Sequence, residues 1–187
     1  MVLKNNNGDD LTISANSTSF TFATALASGA GYAVTVATQP SGLTCSVSSG
    51  GGTIASANVT NVVMACVPLW IGTKQLGVAG TDTIGYSVAT DANGNVYVAG
   101  YTTGGLDGNT LTGTQDFFVT KYDSSGVKQY TRQMGVAGQG SYSRSVATDA
   151  SGNVYVAGYT YGGLDDNTLI GTRDFFVTKY NSSGVKQ

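Results

Sequence analysis

The sequence predicts an all-β protein, and three observations carry that prediction. Glycine is abundant at 27 of 187 residues, while proline is scarce at 2. The β-formers Val, Thr and Tyr fill short alternating runs. A block of about 58 residues also occurs twice in tandem, so that Asp91 recurs as Asp149. Short strands joined by tight turns produce this mixture.

Residues 1–67 read as a first domain, a small antiparallel β-sandwich of immunoglobulin-like type. Its expected strands are Leu11–Ile13, Ser19–Phe22, Tyr32–Val36, Thr44–Val47 and Val59–Cys66, with turn clusters at Asn5–Asp9 and Ser48–Gly52. The first of these strands lies close to Met1, so the domain is expected to be truncated at its N-terminus. Cys45 and Cys66 fall in two of the strands and enclose a loop of about 20 residues. A disulfide closing that loop would contribute about 3 kcal/mol in the chain-entropy model, and the alternative is a pair of buried thiols. Nothing here has C-x-x-C spacing or a third ligand, which argues against a redox or metal role.

Residues 68–187 hold the duplication. Ser87–Thr102 and Ser145–Thr160 differ only at Asn93 against Ser151, and Asp116–Tyr122 recurs as Asp174–Tyr180. Each copy reads as four strands. The first ends at Thr90, and a turn through Ala92-Asn93-Gly94 leads to a second over Asn95–Thr102. A glycine-rich loop then precedes a third over Phe117–Tyr122, and the fourth lies near Tyr130–Gln133. Four antiparallel strands per repeat describe a propeller blade; a sandwich with a duplicated hairpin pair and a β-solenoid are the alternatives. Trp70–Gln75 resembles the fourth strand (Thr73-Lys74-Gln75 against Thr131-Arg132-Gln133) but precedes the first copy. Two blades cannot close a ring of about four to eight, so an incomplete propeller is expected, with open edges that favour self-association.

The chemistry is restricted by what the chain lacks. It has no histidine, which removes Ser-His-Asp and Cys-His nucleophile systems and every His-based metal site on this chain. A net charge of −2 with no Lys/Arg cluster argues against nucleic acid. The longest apolar run, Val62–Ile71, is about half a membrane-spanning helix. No signal peptide is visible at the N-terminus.

Asp91-Ala92-Asn93-Gly94-Asn95 and Asp149–Asn153 space oxygen ligands like a calcium loop. Their glycine is fourth rather than sixth, and no glutamate follows. A hairpin turn is expected instead, with Gly94 at positive φ. Asp107, Asp116, Asp165, Asp166 and Asp174 read as loop caps rather than as a glycosidase-like acid pair. Most aromatic residues are expected to pack between blades. Trp70, Tyr101, Tyr159 and Tyr161 are the candidates to reach a surface and stack on a sugar or peptide. No cofactor is expected.

The run Val-Ala-Thr-Asp-x-x-Gly-Asn-Val-Tyr-Val-Ala-Gly-Tyr-Thr, with Gly-Gly-Leu-Asp and Asp-Phe-Phe-Val-Thr-Lys-Tyr after it, resembles the bacterial seven-bladed β-propeller repeat, SBBP, over about residues 70–187. The segments Asn-Asn-x-Gly-Asp-Asp-Leu-Thr-Ile and Thr-Gln-Pro-Ser-Gly-Leu-Thr-Cys resemble a module often joined to such repeats. The resemblance implies an exported, cell-surface or extracellular bacterial protein and supplies no catalytic residues. A non-catalytic binding or scaffold module for a protein or glycan is therefore expected. The alternative is a piece of a carbohydrate-active enzyme whose catalytic groups lie on other blades.

Overall fold

The computed structural model describes residues 1–187 and divides into two compact units, Met1–Trp70 and Ile71–Gln187. The division falls three residues later than the 67/68 boundary read from the sequence. Each unit is described by itself.

In the first unit, β1 (Val2–Asn5) and β2 (Gly8–Thr12) form a hairpin in which Asn5 faces Gly8. Its two-residue turn sets Asn6 and Asn7 at φ 51° and 59°, the left-handed pair that a type I′ turn requires. β3 (Gly31–Thr38) adds to β1, and the short β5 (Gly51–Thr53) adds to β3, giving the order β2-β1-β3-β5. β4 (Leu43–Ser48) and β6 (Val63–Pro68) form a second, two-stranded sheet. Cys45 and Cys66 are direct cross-strand partners in that sheet and are joined by a disulfide. The buried apolar set is small: Leu3, Val34 and Cys45.

β1 and β5 are strands that were not expected, β2 begins at Gly8 rather than Leu11, and two further expected strands differ. Ser19–Phe22 forms no strand; its alternation is only four residues long, flanked by small residues, and finds no sheet edge to pair with. Phe20 and Phe22 meet edge-to-face instead, with ring centroids 6.1 Å apart. The last strand begins at Val63 rather than Val59.

The second unit contains two stacked blades. Blade one comprises β7 (Thr83–Thr90), β8 (Val96–Thr102), β9 (Asp116–Tyr122) and β10 (Lys128–Met134), in the order β10-β9-β8-β7. Blade two comprises β11 (Ser141–Thr148), β12 (Val154–Thr160) and β13 (Asp174–Tyr180). The chain after β13 turns back, and an antiparallel bridge joins Tyr180 to Lys186 where a fourth strand begins. Trp70–Gln75, which resembles such a strand, forms none. Its repeat equivalent, β10, is paired with β9 and so completes the blade before its own.

One turn joins consecutive strands four times. In Asp91–Asn95, Asp123–Val127, Asp149–Asn153 and Asn181–Val185 the first residue donates its N–H to the carbonyl of the fifth, at 2.9–3.1 Å. The fourth residue is always glycine, at φ between 75° and 79°. The side-chain oxygen of the first residue accepts the N–H of the third and the fifth, as Asp91 does from Asn93 and Asn95 at 2.9 and 3.0 Å. The expected hairpin is thus formed, and a side-chain cap fixes it.

The core lies between the blades. Phe117 and Val119 of β9 are fully buried against Val146, Val154, Val156 and Phe176 of blade two. The Phe117 and Phe176 rings stack with centroids 4.6 Å apart. Burying each such side chain is worth about 1.5–3 kcal/mol. Hydrogen bonds from β11 help fix the blade spacing: Ser143 Oγ to the Gly100 carbonyl (2.8 Å), Val146 N–H to Ser87 Oγ (3.2 Å) and Thr148 Oγ1 to the Thr90 carbonyl (2.9 Å).

Candidate binding surface

Of the five aspartates in or beside the long loops, Asp116 and Asp174 serve as caps. Asp116 is fully buried and accepts the N–H groups of Thr112 and Gly113, both at 2.8 Å, and the Gln133 amide at 3.0 Å. Asp174 accepts from Ile170 and Gly171 at 2.7 and 2.9 Å. These backbone donors hold its carboxyl below the ordinary carboxylate value. Asp107 pairs with Lys128 and Asp165 with Lys186. The hydrogen bond from Lys128 lowers the Asp107 carboxyl. Each of these four carboxylates is engaged by donors of its own blade.

A different set of residues is open to solvent. Each blade carries a β-bulge in its first strand: the register slips between Gly85 and Ser87, and again between Ser143 and Ser145. The bulged residues are Tyr86 and Arg144, and a bulge re-aims the side chain that it carries. The Arg144 guanidinium lies 4.1 Å from the Tyr86 ring centroid and 5.3 Å from that of Tyr159. It also donates a 2.9 Å hydrogen bond to the Tyr159 hydroxyl, which raises its already high pKa.

Around this pair the rings form a continuous series. Tyr86 stacks on Tyr101 (5.8 Å), Tyr101 meets Tyr142 edge-on (4.9 Å), and Tyr142 stacks on Tyr159 (5.2 Å). Tyr161 stands edge-on to both Tyr142 and Tyr159, and Arg173 lies 5.2 Å over Tyr159. Burial raises the Tyr101 and Tyr142 hydroxyls above the ordinary tyrosine value, with help from neighbouring tyrosines. Beside the series is a shallow depression of about 480 Å³, lined by Arg144, Ala157, Tyr159, Arg173 and Phe175 among others.

Of the four aromatic candidates, the structure brings Tyr101, Tyr159 and Tyr161 together in this series. Tyr161 is 39% exposed, and Tyr101 and Tyr159 are half-buried. Trp70 is 37% exposed but belongs to the first unit. Sequence reasoning missed Tyr86, Tyr142, Arg144 and Arg173. Tyr86 and Arg144 occupy one repeat position with different residues. That non-identity, read as a pair, was the available signal.

Comparison with curated proteins finds no significant match to the chain. Residues 71–107 and 129–165 each match the family model described as a beta-propeller repeat, SBBP. The two matches begin on corresponding residues, each in the segment that precedes the first strand of a blade. Residues 71–107 and 129–165 therefore each carry an SBBP beta-propeller repeat, within a unit folded as two consecutive blades.

Proposed function

We propose that the chain is a non-catalytic binding or scaffold module of an exported, cell-surface bacterial protein, taking a protein or glycan partner. The observation that carries this reading is the tyrosine series with Arg144 and Arg173 at its open side. Ring faces and guanidinium planes stack on sugars and on planar side chains. The disulfide is compatible with an oxidising compartment, and no helix is long and apolar enough to cross a membrane. The capping of Asp116 and Asp174 favours binding over turnover at those two positions, since acid/base work needs a carboxyl free to exchange its proton with substrate.

A glycan and peptide array tests the reading. Specific retention without cleavage, weakened about tenfold or more by Tyr161→Ala at unchanged melting temperature, is the expected result. Cleavage of any arrayed polymer, or no retention at all, overturns it. Self-association through open blade edges is the second reading, favoured by β13, whose outer edge is unpaired along most of its length.

A further inference from the structure

The two blades are built from nearly the same letters but are covered differently. Phe117 and Val119 of blade one are 0% exposed, whereas their repeat equivalents Phe175 and Val177 are 85% and 61% exposed. On the opposite side, Val146 of β11 is 6% exposed and its equivalent Val88 of β7 is 66% exposed. In each case the buried member lies in the interface where β11 packs over blade one. Blade two therefore presents a copy of the surface on which blade two itself sits, and blade one presents a copy of the surface that sits there.

Gly72–Leu76 supplies the missing part. It aligns with Tyr130–Met134 of β10, keeping Thr73, a cation at Lys74, Gln75 and an apolar Leu76. In blade one this strand pairs Thr131 with Thr120, Arg132 with Val119, Gln133 with Phe118 and Met134 with Phe117. The Thr131 and Thr120 hydroxyls bond at 3.0 Å. The Gln133 side chain accepts the Leu106 N–H at 2.8 Å and donates to Asp116 and to the Gly104 carbonyl. Blade two holds the same receiving groups: Thr178, the Leu164 N–H, Asp174 and the Gly162 carbonyl.

We infer that a second copy of this chain docks head-to-tail on blade two, its residues 72–76 adding to β13 and its β7 packing over Phe175 and Val177. This deepens the self-association reading by naming the partner, the surface and the register; the second copy then occupies the depression beside Tyr159 in place of another ligand. Thr73 of the second copy faces Thr178, Lys74 faces Val177, Gln75 faces Phe176 and Leu76 faces Phe175. Lys186 and Gln187 already occupy the opening of that strand position, at Tyr180 and Lys179, so the incoming residues continue from there. At the bulge position the order alternates: Tyr86 and Arg144 of the first copy are followed by Tyr86 of the second, so no two guanidinium groups are stacked in succession. Such a head-to-tail contact is heterologous, and closes a ring only if the rotation allows.

Sedimentation velocity and cross-linking of the whole chain test this. The expected species are multiples of 19.0 kDa. Phe175→Asp, at a site exposed in the single chain, should raise the apparent dissociation constant by at least about tenfold. A mixture of Lys74→Cys and Val177→Cys chains should form an intermolecular disulfide, and the out-of-register Lys74→Cys and Phe176→Cys mixture should not. Oligomers that survive Phe175→Asp and lack the 74–177 bridge overturn this contact but leave self-association standing. A monomer throughout the micromolar to millimolar range overturns both. A monomer whose Phe175 face is covered only when a third repeat is fused beyond Gln187 assigns the face to a further blade of one chain.

Discussion

At the scale of single residues, much of the charge chemistry is turn chemistry, and it fixes how stability responds to pH. Partial burial acts to raise the Asp91 carboxyl, but hydrogen bonds from Asn95, Tyr97 and Asn93 outweigh it and leave the carboxyl below its ordinary value. The Ser125 hydroxyl and the Val127 N–H lower Asp123, and Asn153 lowers Asp149. A carboxyl whose pKa is depressed by folding adds stability that is complete above its unfolded value, 3.8, and is lost as pH falls through the folded one. The buried tyrosines act at the other limit. Burial pushes Tyr130 and Tyr180 up to about 12 and Tyr97 further still. Their contribution is complete below the unfolded value near 10 and is lost as pH rises through the folded ones. With no histidine and no free thiol, the second unit should show a level melting temperature from about pH 5 to 9 that falls on both sides. Differential scanning fluorimetry across pH checks this. Asp123→Asn should keep the turn, as Asn181 does at the same repeat position, and should flatten the acid limb.

At the scale of elements, the disulfide and the bulges do different work. β4 and β6 make a two-stranded sheet, and an isolated two-stranded ribbon is marginal in water. The Cys45–Cys66 bridge locks that pairing. Replacing both cysteines with serine should cost the first unit about 3 kcal/mol. In calorimetry the transition of the first unit should fall while that of Ile71–Gln187 stays in place; a common shift of both transitions would contradict the division into units. The bulges at Tyr86 and Arg144 are held by glycines opposite them. A Cβ on Gly100 would collide with the Ile84 carbonyl, and one on Gly158 with that of Tyr142.

At the scale of the whole molecule, the repeats were legible because they are written in strand letters and turn letters that need no long-range information. Gly94, with an aspartate three residues before it, defines its hairpin locally, and the cysteine pair marked two neighbouring strands. Less legible was whatever depended on partners distant in sequence. Ser19–Phe22 alternates like a strand but has no edge to join, and Gly72–Leu76 has the letters of a strand whose edge lies on another blade. The tyrosine series was half visible: Tyr101, Tyr159 and Tyr161 stood out, but Arg144 gains its meaning only from a bulge, which no short run of residues announces.

The heptapeptide Asp-Phe-Phe-Val-Thr-Lys-Tyr occurs twice, once with Phe117 covered and once with Phe175 bare. Identical letters give nearly identical intrinsic amide exchange, so the two copies form an isotopic balance inside one molecule. In deuterium uptake by the isolated chain, 174–180 should label faster than 116–122, because its outer edge is open and the blade that would cover it is absent from its face. The ratio of the two rates needs no external standard. Raising the protein concentration should drive it toward unity if a second copy docks, and equal rates at high dilution would contradict the different cover of the two strands.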